Sequence, residues 1–599
     1  MMKSSIKIFL LAGLVCCGSV ATLTSCSSWI EEETEGQTTD ATLGDNDEAA
    51  QAWVTGVYSK WVYDMFCWGY FPKVLELDAD YISGPSWLFK AFGAGNFEGE
   101  SEVCDALWKG CYGLIERADY AQKQIEKMTS LTDAAKQNYL GELKFHKAMA
   151  YFLLVRAYGA IPLAADDVDK TNNPRVAVDK VYDEIFTLLE ESASQLYKNT
   201  DANYQIGHVN AGSAAGLLAK AYATAAASAL GQTNTYINIR TGAPYIKSGD
   251  TYAYAKPYCH KLQVQTVSGY ENINPTLYYQ KASVWANKVL NTTTLGTYEM
   301  STYDNLWKMS NRYASEFLFA VYTPSADTKY KTSIHTNYEG VFTDASCEYI
   351  ADGGWIGCTY NWYQLFEPTD RRIIDGVKHR IRSEGQKQPL DDGSGMQGGL
   401  YYPADDYYKN LAENHLPPFD QPNVKYWTFS GTPSDQYLAF TTKYMEVSDP
   451  TTGNADSPWP FLRIADVWLI YAEASNETGD PTAALAALGK VQQRSDPSLT
   501  TAPTAADLHT RLDSNNELTD QEVIRSAIIE ERAKELACEG DRRWDLIRFG
   551  IYLQAMNAIG GNDDAGVSKS RLSRNLLFPL PAQELNTNRA INENNPGWR

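Results

Sequence analysis

The sequence predicts a mainly α protein in which helical hairpins form a scaffold for a loop-rich, irregular half with a few short strands. Three observations carry that prediction. Apolar residues recur at helical spacing in paired blocks over roughly the first half of the chain. The periodicity then lapses from Thr292 to Ser457, where Gly, Pro, Asn and Tyr are dense. It returns near the C-terminus in two segments that are apolar almost all round, as central helices must be.

The chain opens with Lys3 and Lys7, an apolar run from Ile8 to Val20, and Leu23-Thr24-Ser25-Cys26. A run this short reads as a signal peptide, not a stop-transfer helix, so residues 1–25 are expected to be removed. Leu-Thr-Ser-Cys is similar to a lipobox, and Cys26 is the expected lipidation site; an ordinary secretory cleavage would not require a cysteine there. Residues 26–47 read as an acidic tether: Glu31-Glu32-Glu33 resembles a surface-export signal, and Thr34 to Asp47 is polar with few large apolar residues.

One domain is expected over 48–599, with hairpins to about 300, a loop-rich insert over about 301–457, and a C-terminal part over 458–599. Ala52, Val54, Val57, Tyr58, Trp61 and Val62 mark the first helix. Tyr70 to Glu100 is broken by Pro72, Gly84-Pro85, Gly93, Gly95 and Gly99, yet holds Tyr81, Trp87, Phe89 and Phe92. Such an aromatic loop either packs on the helices or displays rings to a ligand. Ser101 to Met128 and Thr132 to Tyr158 form a hairpin whose second helix is capped by Thr132. Val178 to Leu196 and Val209 to Leu230 form another, in which Gly212 and Gly216 allow close helix approach. Gln232 to Asn274 reads as an irregular insertion and Pro275 to Asn291 as a helix. Short strands are expected at Phe317 to Tyr322 and Ala439 to Met445.

Phe461 to Asn476 and Ile528 to Arg548 are the two nearly all-buried helical segments. The second turns a corner at Gly540, with Asp541 placed to cap the next helix. They carry Arg463, Asp466, Glu473, Glu531, Arg532, Glu535, Arg542, Arg543 and Asp545. Unpaired charges in such positions would be costly, so an ion-paired core is implied.

These residues also carry a resemblance. RIADVWLIYAEASN, then EERAKELACEGDRRWDLIRFG, then LFPLPAQELNTNRAINENNPGW resembles the C-terminal signature of the SusD/RagB family of outer-membrane nutrient-binding lipoproteins. Tyr158-Gly159-Ala160-Ile161-Pro162-Leu163 is similar to the exit of a family helix, although Lys147-Ala148 stands where Arg-Ala is common. Tyr360 to Arg372 matches a family segment in part. The resemblance implies tetratricopeptide-like hairpins beneath a ligand-facing half. It also implies a surface-exposed, outer-membrane location, an oligosaccharide ligand, and a TonB-dependent SusC-like transporter over which the protein sits as a lid.

Composition is consistent with that reading. The chain has 599 residues, 15 Trp, 39 Tyr and 19 Phe, and a net charge of −22, which repels nucleic acid and suits neutral ligands. The cysteines beyond Cys26 are Cys67, Cys104, Cys111, Cys259, Cys347, Cys358 and Cys538. They are odd in number and lack a C-x-x-C, which excludes a zinc framework and favours buried free thiols, although Cys347 and Cys358 can pair. No P-loop, H-E-x-x-H, G-x-S-x-G or EF-hand pattern occurs, so neither cofactor nor metal is expected; carbonyl and carboxylate ligands for calcium leave little trace in a sequence.

Sugar faces stack on flat rings while hydroxyls take a few fixed hydrogen bonds. Trp87 and Trp355, both in Gly-rich loops, are the first choice of platforms, with Tyr349, Tyr360 and Trp362 behind them because a helix beginning near Trp362 would bury some of them. Asp78 and Asp80 can accept hydroxyl protons, the blander reading being solvated surface acids. Arg371 can donate, the blander reading being a salt bridge to Asp370 or Glu367. Glycan capture without catalysis is the resulting expectation. Two other readings stay open: a RagB-like peptide-binding lipoprotein on the same scaffold, and a helical glycoside hydrolase with a carboxylate pair. Glu531, Glu535 and Asp545 are better explained by ion pairs than by catalysis.

Overall fold

The computed structural model describes residues 43–66, 70–98, 101–164, 169–232, 234–241, 246–248, 251–253, 258–323, 332–381, 400–402, 438–453, 456–560 and 567–599. The leader, Cys26, most of the tether and Cys67 lie outside the described residues. Among the described residues no helix is long and apolar enough to cross a membrane.

Helix α1 (Asp47–Lys60) starts at Asn46, whose side chain accepts from the Ala49 amide at 2.8 Å. A four-residue helix, α2 (Ser86–Phe89), lies in the aromatic loop. The long helices α3 (Ser101–Lys127) and α4 (Asp133–Tyr158) then form the first hairpin. Thr132 caps α4 by accepting from the Ala135 amide. Asp45 ties α1 to the α3–α4 turn by accepting from Thr129 and Ser130, and these bonds hold its carboxyl down at about 2.

Helices α5 (Val178–Gln195) and α6 (Ala211–Ala229) form the second hairpin, and α7 (Pro275–Asn291) packs on α6. The small residues of α6 have a steric reason: a Cβ on Gly212 would sit 2.3 Å from the Tyr298 ring, and one on Gly216 2.8 Å from Leu318 Cδ1. The segment expected to be irregular contains an antiparallel ribbon, β2 (Tyr236–Thr241) with β3 (Tyr258–Gln263), after the two-residue β1 (Ile82–Ser83).

Strand β4 (Phe317–Val321) follows, then α8 (Ile334–Tyr338), β5 (Val341–Phe342), β6 (Ile350–Asp352), β7 (Gly357–Cys358) and α9 (Tyr360–Tyr363). The strand expected over Ala439 to Met445 is reduced to isolated bridges, Ala439 to Cys358 and Thr441 to Val377. Strand β8 (Trp459–Arg463) pairs antiparallel with β4 and runs directly into α10 (Ile464–Glu477). Its rings build the core: Phe319 stacks on Phe461 at 5.5 Å, and Tyr444 on Trp459 at 5.7 Å.

The C-terminal helices are α11 (Pro481–Ser495), α12 (Asp520–Glu535), α13 (Arg542–Arg548), α14 (Tyr552–Ile559) and α15 (Ala582–Thr587). Gly540 takes φ 85° at the corner between α12 and α13. Asp541 occupies the cap position but makes no capping bond; its carboxylate is instead drawn to Lys220 Nζ on α6, at 2.8 Å.

The core is ion-paired throughout this corner. Arg463 meets Glu539 at 2.7 Å, Glu535 at 3.0 Å and Glu316 at 2.8 Å, with all of these groups buried. Arg532 bridges Asp466 and Asp545, and Arg548 grips Glu473 with two bonds of 2.6 and 2.7 Å. Burial alone would raise the Glu535 carboxyl, but Arg494, Arg463 and Arg372 outweigh it and hold it well below the ordinary range.

Candidate ligand-binding site

Two short strands distant in sequence place the two tryptophans. β1 and β7 pair antiparallel, Ile82 with Cys358 and Ser83 with Gly357. The ladder continues as Thr359 N donates to Tyr81 O at 2.8 Å, and Cys358 exchanges backbone bonds with Ala439 at 2.8 and 2.9 Å. At the other end both chains leave the ladder together. One continues through Gly84-Pro85 into α2, where the Pro85 carbonyl accepts from Leu88 and Phe89; those two side chains turn inward and Trp87 turns out, 55% exposed.

The other chain arrives through Gly353 and Gly354, at φ 85° and 71°, a left-handed pair that suits glycine. The Gly354 amide donates to Thr336 O at 2.7 Å, and the Trp355 and Ile356 amides donate to Asn337 O at 2.8 and 2.9 Å. The backbone beneath Trp355 is thus fixed on α8.

The outcome is a corner of two indoles, with ring centroids 4.8 Å apart and planes at 86°. Trp355 is half-buried beneath the exposed Trp87. An edge-to-face pair of this kind adds about 0.5 to 1.5 kcal/mol beyond its buried area, so each ring braces the other. A braced ring at the surface can stack on a flat apolar face without first being ordered.

The remaining candidates do not join this corner. Tyr349 is half-buried at the start of the β6 segment, with its carbonyl accepting from Thr343 N at 2.9 Å. Tyr360 and Trp362 are buried: α9 turns them into the core, where Trp362 Nε1 donates to Ala533 O at 2.8 Å on α12 and its ring meets Phe366. They are not displayed to a ligand. Arg371 pairs with Asp375, one turn along its own short helix, at 2.5 Å. Its neighbour Arg372 is buried against Asp370, Glu531 and Glu535.

Asp78 and Asp80 correct both of their sequence readings, since they are neither ligand acceptors nor solvated acids. Both are buried. Asp78 accepts from Arg543 and Arg571 at 2.8 Å each and from the Tyr552 hydroxyl at 2.5 Å. Asp80 is held by two bonds from Arg542, at 2.8 and 2.7 Å. These carboxylates anchor the Trp87 loop to the C-terminal helices and face no open surface.

Among the described residues, Cys104, Cys111, Cys259, Cys347, Cys358 and Cys538 form no disulfide. The alternative Cys347–Cys358 pairing is not formed: Cys358 lies 3.9 Å from Cys538, and that contact together with burial pushes the Cys538 thiol well up. Sequence reasoning missed Thr336 and Asn337, whose carbonyls seat Trp355; a main-chain role leaves no mark on residue type.

Known proteins share this outline. The family model described as the SusD family matches residues 270–598, and one described as starch-binding associating with outer membrane matches 95–223. A SusD-like protein of Bacteroides ovatus is 26% identical over 220 residues, 36% of this chain and 40% of that protein, so the match spans less than half of that relative. SusD-like protein P25 of Formosa agariphila is 20% identical over 600 residues, 96% of this chain and 97% of that one. Among solved structures, a SusD homolog from Bacteroides thetaiotaomicron superposes with TM-score 0.68 at 20% identity, covering 94% of this chain and 100% of that one. A laminarin binding SusD-like protein gives TM-score 0.61 at 19% identity, covering 93% and 100%. Surface glycan-binding protein A from Bacteroides fluxus gives 0.62 at 15%, with the same coverage.

Proposed function

The chain belongs to the SusD family, and on that premise we propose that it captures oligosaccharide at the cell surface and passes it to a TonB-dependent, SusC-like outer-membrane transporter, which it covers as a lid. It is anchored in the outer membrane by acyl chains on Cys26 and holds its ligand without chemical change. The observation that carries this reading is the perpendicular Trp87–Trp355 pair, a braced aromatic corner at the surface.

The mechanism derives from that geometry. A sugar unit lays its C–H face on one indole while the second ring walls one side, so the corner takes one or two units of a chain and leaves the rest in water. With few fixed polar partners the affinity of the corner alone is modest, which suits a protein that must release its ligand.

Binding without turnover is supported by where the ordered acids sit. Glu531, Glu535 and Asp545 are buried and ion-paired, so none is poised at the rings as a general acid. The outer-membrane setting is supported by the description of the family model over residues 95–223.

The test is a panel of polysaccharides and peptides, run by affinity electrophoresis and calorimetry on the full-length protein in detergent, with reducing ends followed in the same samples. Retention by a polysaccharide without new reducing ends is expected. Released sugar would make the protein a hydrolase, and binding to peptides alone would overturn the glycan reading. Affinity purification from native outer membranes, which should bring down a TonB-dependent barrel, tests the lid.

A further inference from the structure

A second concave surface shares no residue with the tryptophan corner. A groove of about 550 Å³ runs along α3, walled opposite by the Pro162–Ala164 segment and by α15. That volume lies within the range of small-ligand sites. Trp108, Tyr112 and Tyr120 line it at positions i, i+4 and i+12, one face of a single helix. Trp108 is buried behind Tyr112, with centroids 4.8 Å apart; Tyr112 is half-buried and Tyr120 is 40% exposed. The two accessible rings stand about 12 Å apart along the helix axis, far enough to meet successive units of a chain.

The far wall supplies the exposed Gln583 amide, while the Thr587 hydroxyl, which donates to Gln583 O, keeps its acceptor side and the Asn173 amide nitrogen is spent on Leu163 O at 2.9 Å. Because α3 and α15 are helices, their backbone groups are largely spent on internal bonds, and an extended peptide would find no strand edge to join. The charges in the groove select neither sign: three lysines meet three carboxylates, Glu116 pairs with Lys170 at 2.7 Å, and Asp119 pairs with Lys147 at 2.5 Å. Rings, amides and balanced charge describe a site for a neutral polyhydroxylated chain.

Gly113 makes the independent point. It lies on the groove wall in mid-helix, where glycine is unfavourable. Among the described residues, a Cβ there would meet only Asp64 Oδ2, at 3.9 Å, so packing does not require glycine. A larger side chain would fill the groove. The helix keeps open a space that its own packing leaves unused.

We propose that this groove is a second saccharide-binding site, taking successive units of a neutral oligosaccharide independently of the Trp87–Trp355 corner. Two such sites on one rigid body retain a long polysaccharide more strongly than a short oligosaccharide, because the second contact becomes intramolecular.

The experiment compares four forms of the full-length protein in detergent: wild type, Trp87→Ala/Trp355→Ala, Gly113→Leu/Tyr120→Ala, and all four substitutions together. Each is run in native gels containing laminarin, amylopectin, xyloglucan or galactomannan. In a gel that retards the wild type, the groove variant is expected to lose at least about threefold in retention. Equal melting temperatures exclude unfolding, and Gly113→Leu alone, which deletes no contact, repeats the test. A groove variant retained like wild type in every such gel overturns the inference, as does a wild type retarded by none of them. Loss on the corner substitutions alone leaves the proposed function standing and the groove refuted; loss on the groove substitutions alone does the reverse.

Discussion

The backbone of Gly84 presses on the backbone of Trp355: a methyl group on Gly84 would lie 2.5 Å from the Trp355 carbonyl oxygen and equally close to Phe89 Cε2. Two loops far apart in sequence therefore touch main chain to main chain, directly beneath the rings they carry. Gly84→Ala is expected to push Trp355 off α8 and to weaken glycan retention about tenfold without altering either indole, at a stability cost of about 1 to 3 kcal/mol. Calorimetry against the retained polysaccharide, beside a thermal melt, checks both numbers.

The indoles themselves separate binding from folding. Trp87 is more than half exposed and its pairing with Trp355 adds about 0.5 to 1.5 kcal/mol, so Trp87→Ala should lower stability by no more than about 2 kcal/mol while removing most of the retention. Trp355→Phe should keep partial retention, since a smaller ring can still brace Trp87. Binding by the Trp87→Ala variant at wild-type strength would move the site elsewhere.

Arg463 tests the ion-paired core. It is fully buried among Glu316, Glu535 and Glu539, so Arg463→Met takes one buried cation from three carboxylates, leaving them to Arg494, Arg372 and Lys443, and should lower stability by about 3 to 5 kcal/mol in urea denaturation. A loss below about 1 kcal/mol would mean that solvent reaches this network.

Glu76 gives the fold a pH dependence of known sign. It is buried, accepts from the Gly540 amide at the α12–α13 corner, and burial pushes its carboxyl up to about 8. A carboxyl raised on folding holds its proton more tightly in the native state, so its contribution is complete below about pH 4.5 and is lost as pH rises toward 8. Glu76→Gln keeps an acceptor but cannot ionise. Its stability relative to wild type should therefore climb across that window by a few kcal/mol, at about 1.4 per pH unit at most. Paired melts from pH 5 to 9 read this directly; a flat difference refutes it.

The sequence told the helical scaffold well and the site only in part. Helices α3, α5 and α7 were legible because each repeats a buried face every three to four residues, α4 and α6 as apolar runs without proline although they are buried nearly all round, and the arginine-rich corner because charges in all-apolar stripes have to pair. Trp87 and Trp355 stood out by lying in glycine-rich loops, but their contact rests on a two-residue ladder too short to leave a pattern. Asp78 and Asp80 were misread for a related reason: their partners Arg542, Arg543 and Arg571 come from the far end of the chain, and no local window holds both halves. Tyr360 and Trp362 ranked behind the tryptophans because a helix near Trp362 would bury some of them, and α9 buries both; a single helical turn does not reveal beforehand which way it faces.

The pairing of Asp78 and Asp80 with those late arginines also sets an order of events during manufacture. Translation delivers the aspartates first, and the guanidinium groups that neutralise them emerge only with the last stretch of polypeptide. Until then the loop bearing Trp87 is held only by its ladder to Gly357 and Cys358 and lacks its charged anchors, so this surface is finished last. A chain ending before Arg542 would leave Asp78 and Asp80 without the guanidinium groups that neutralise them.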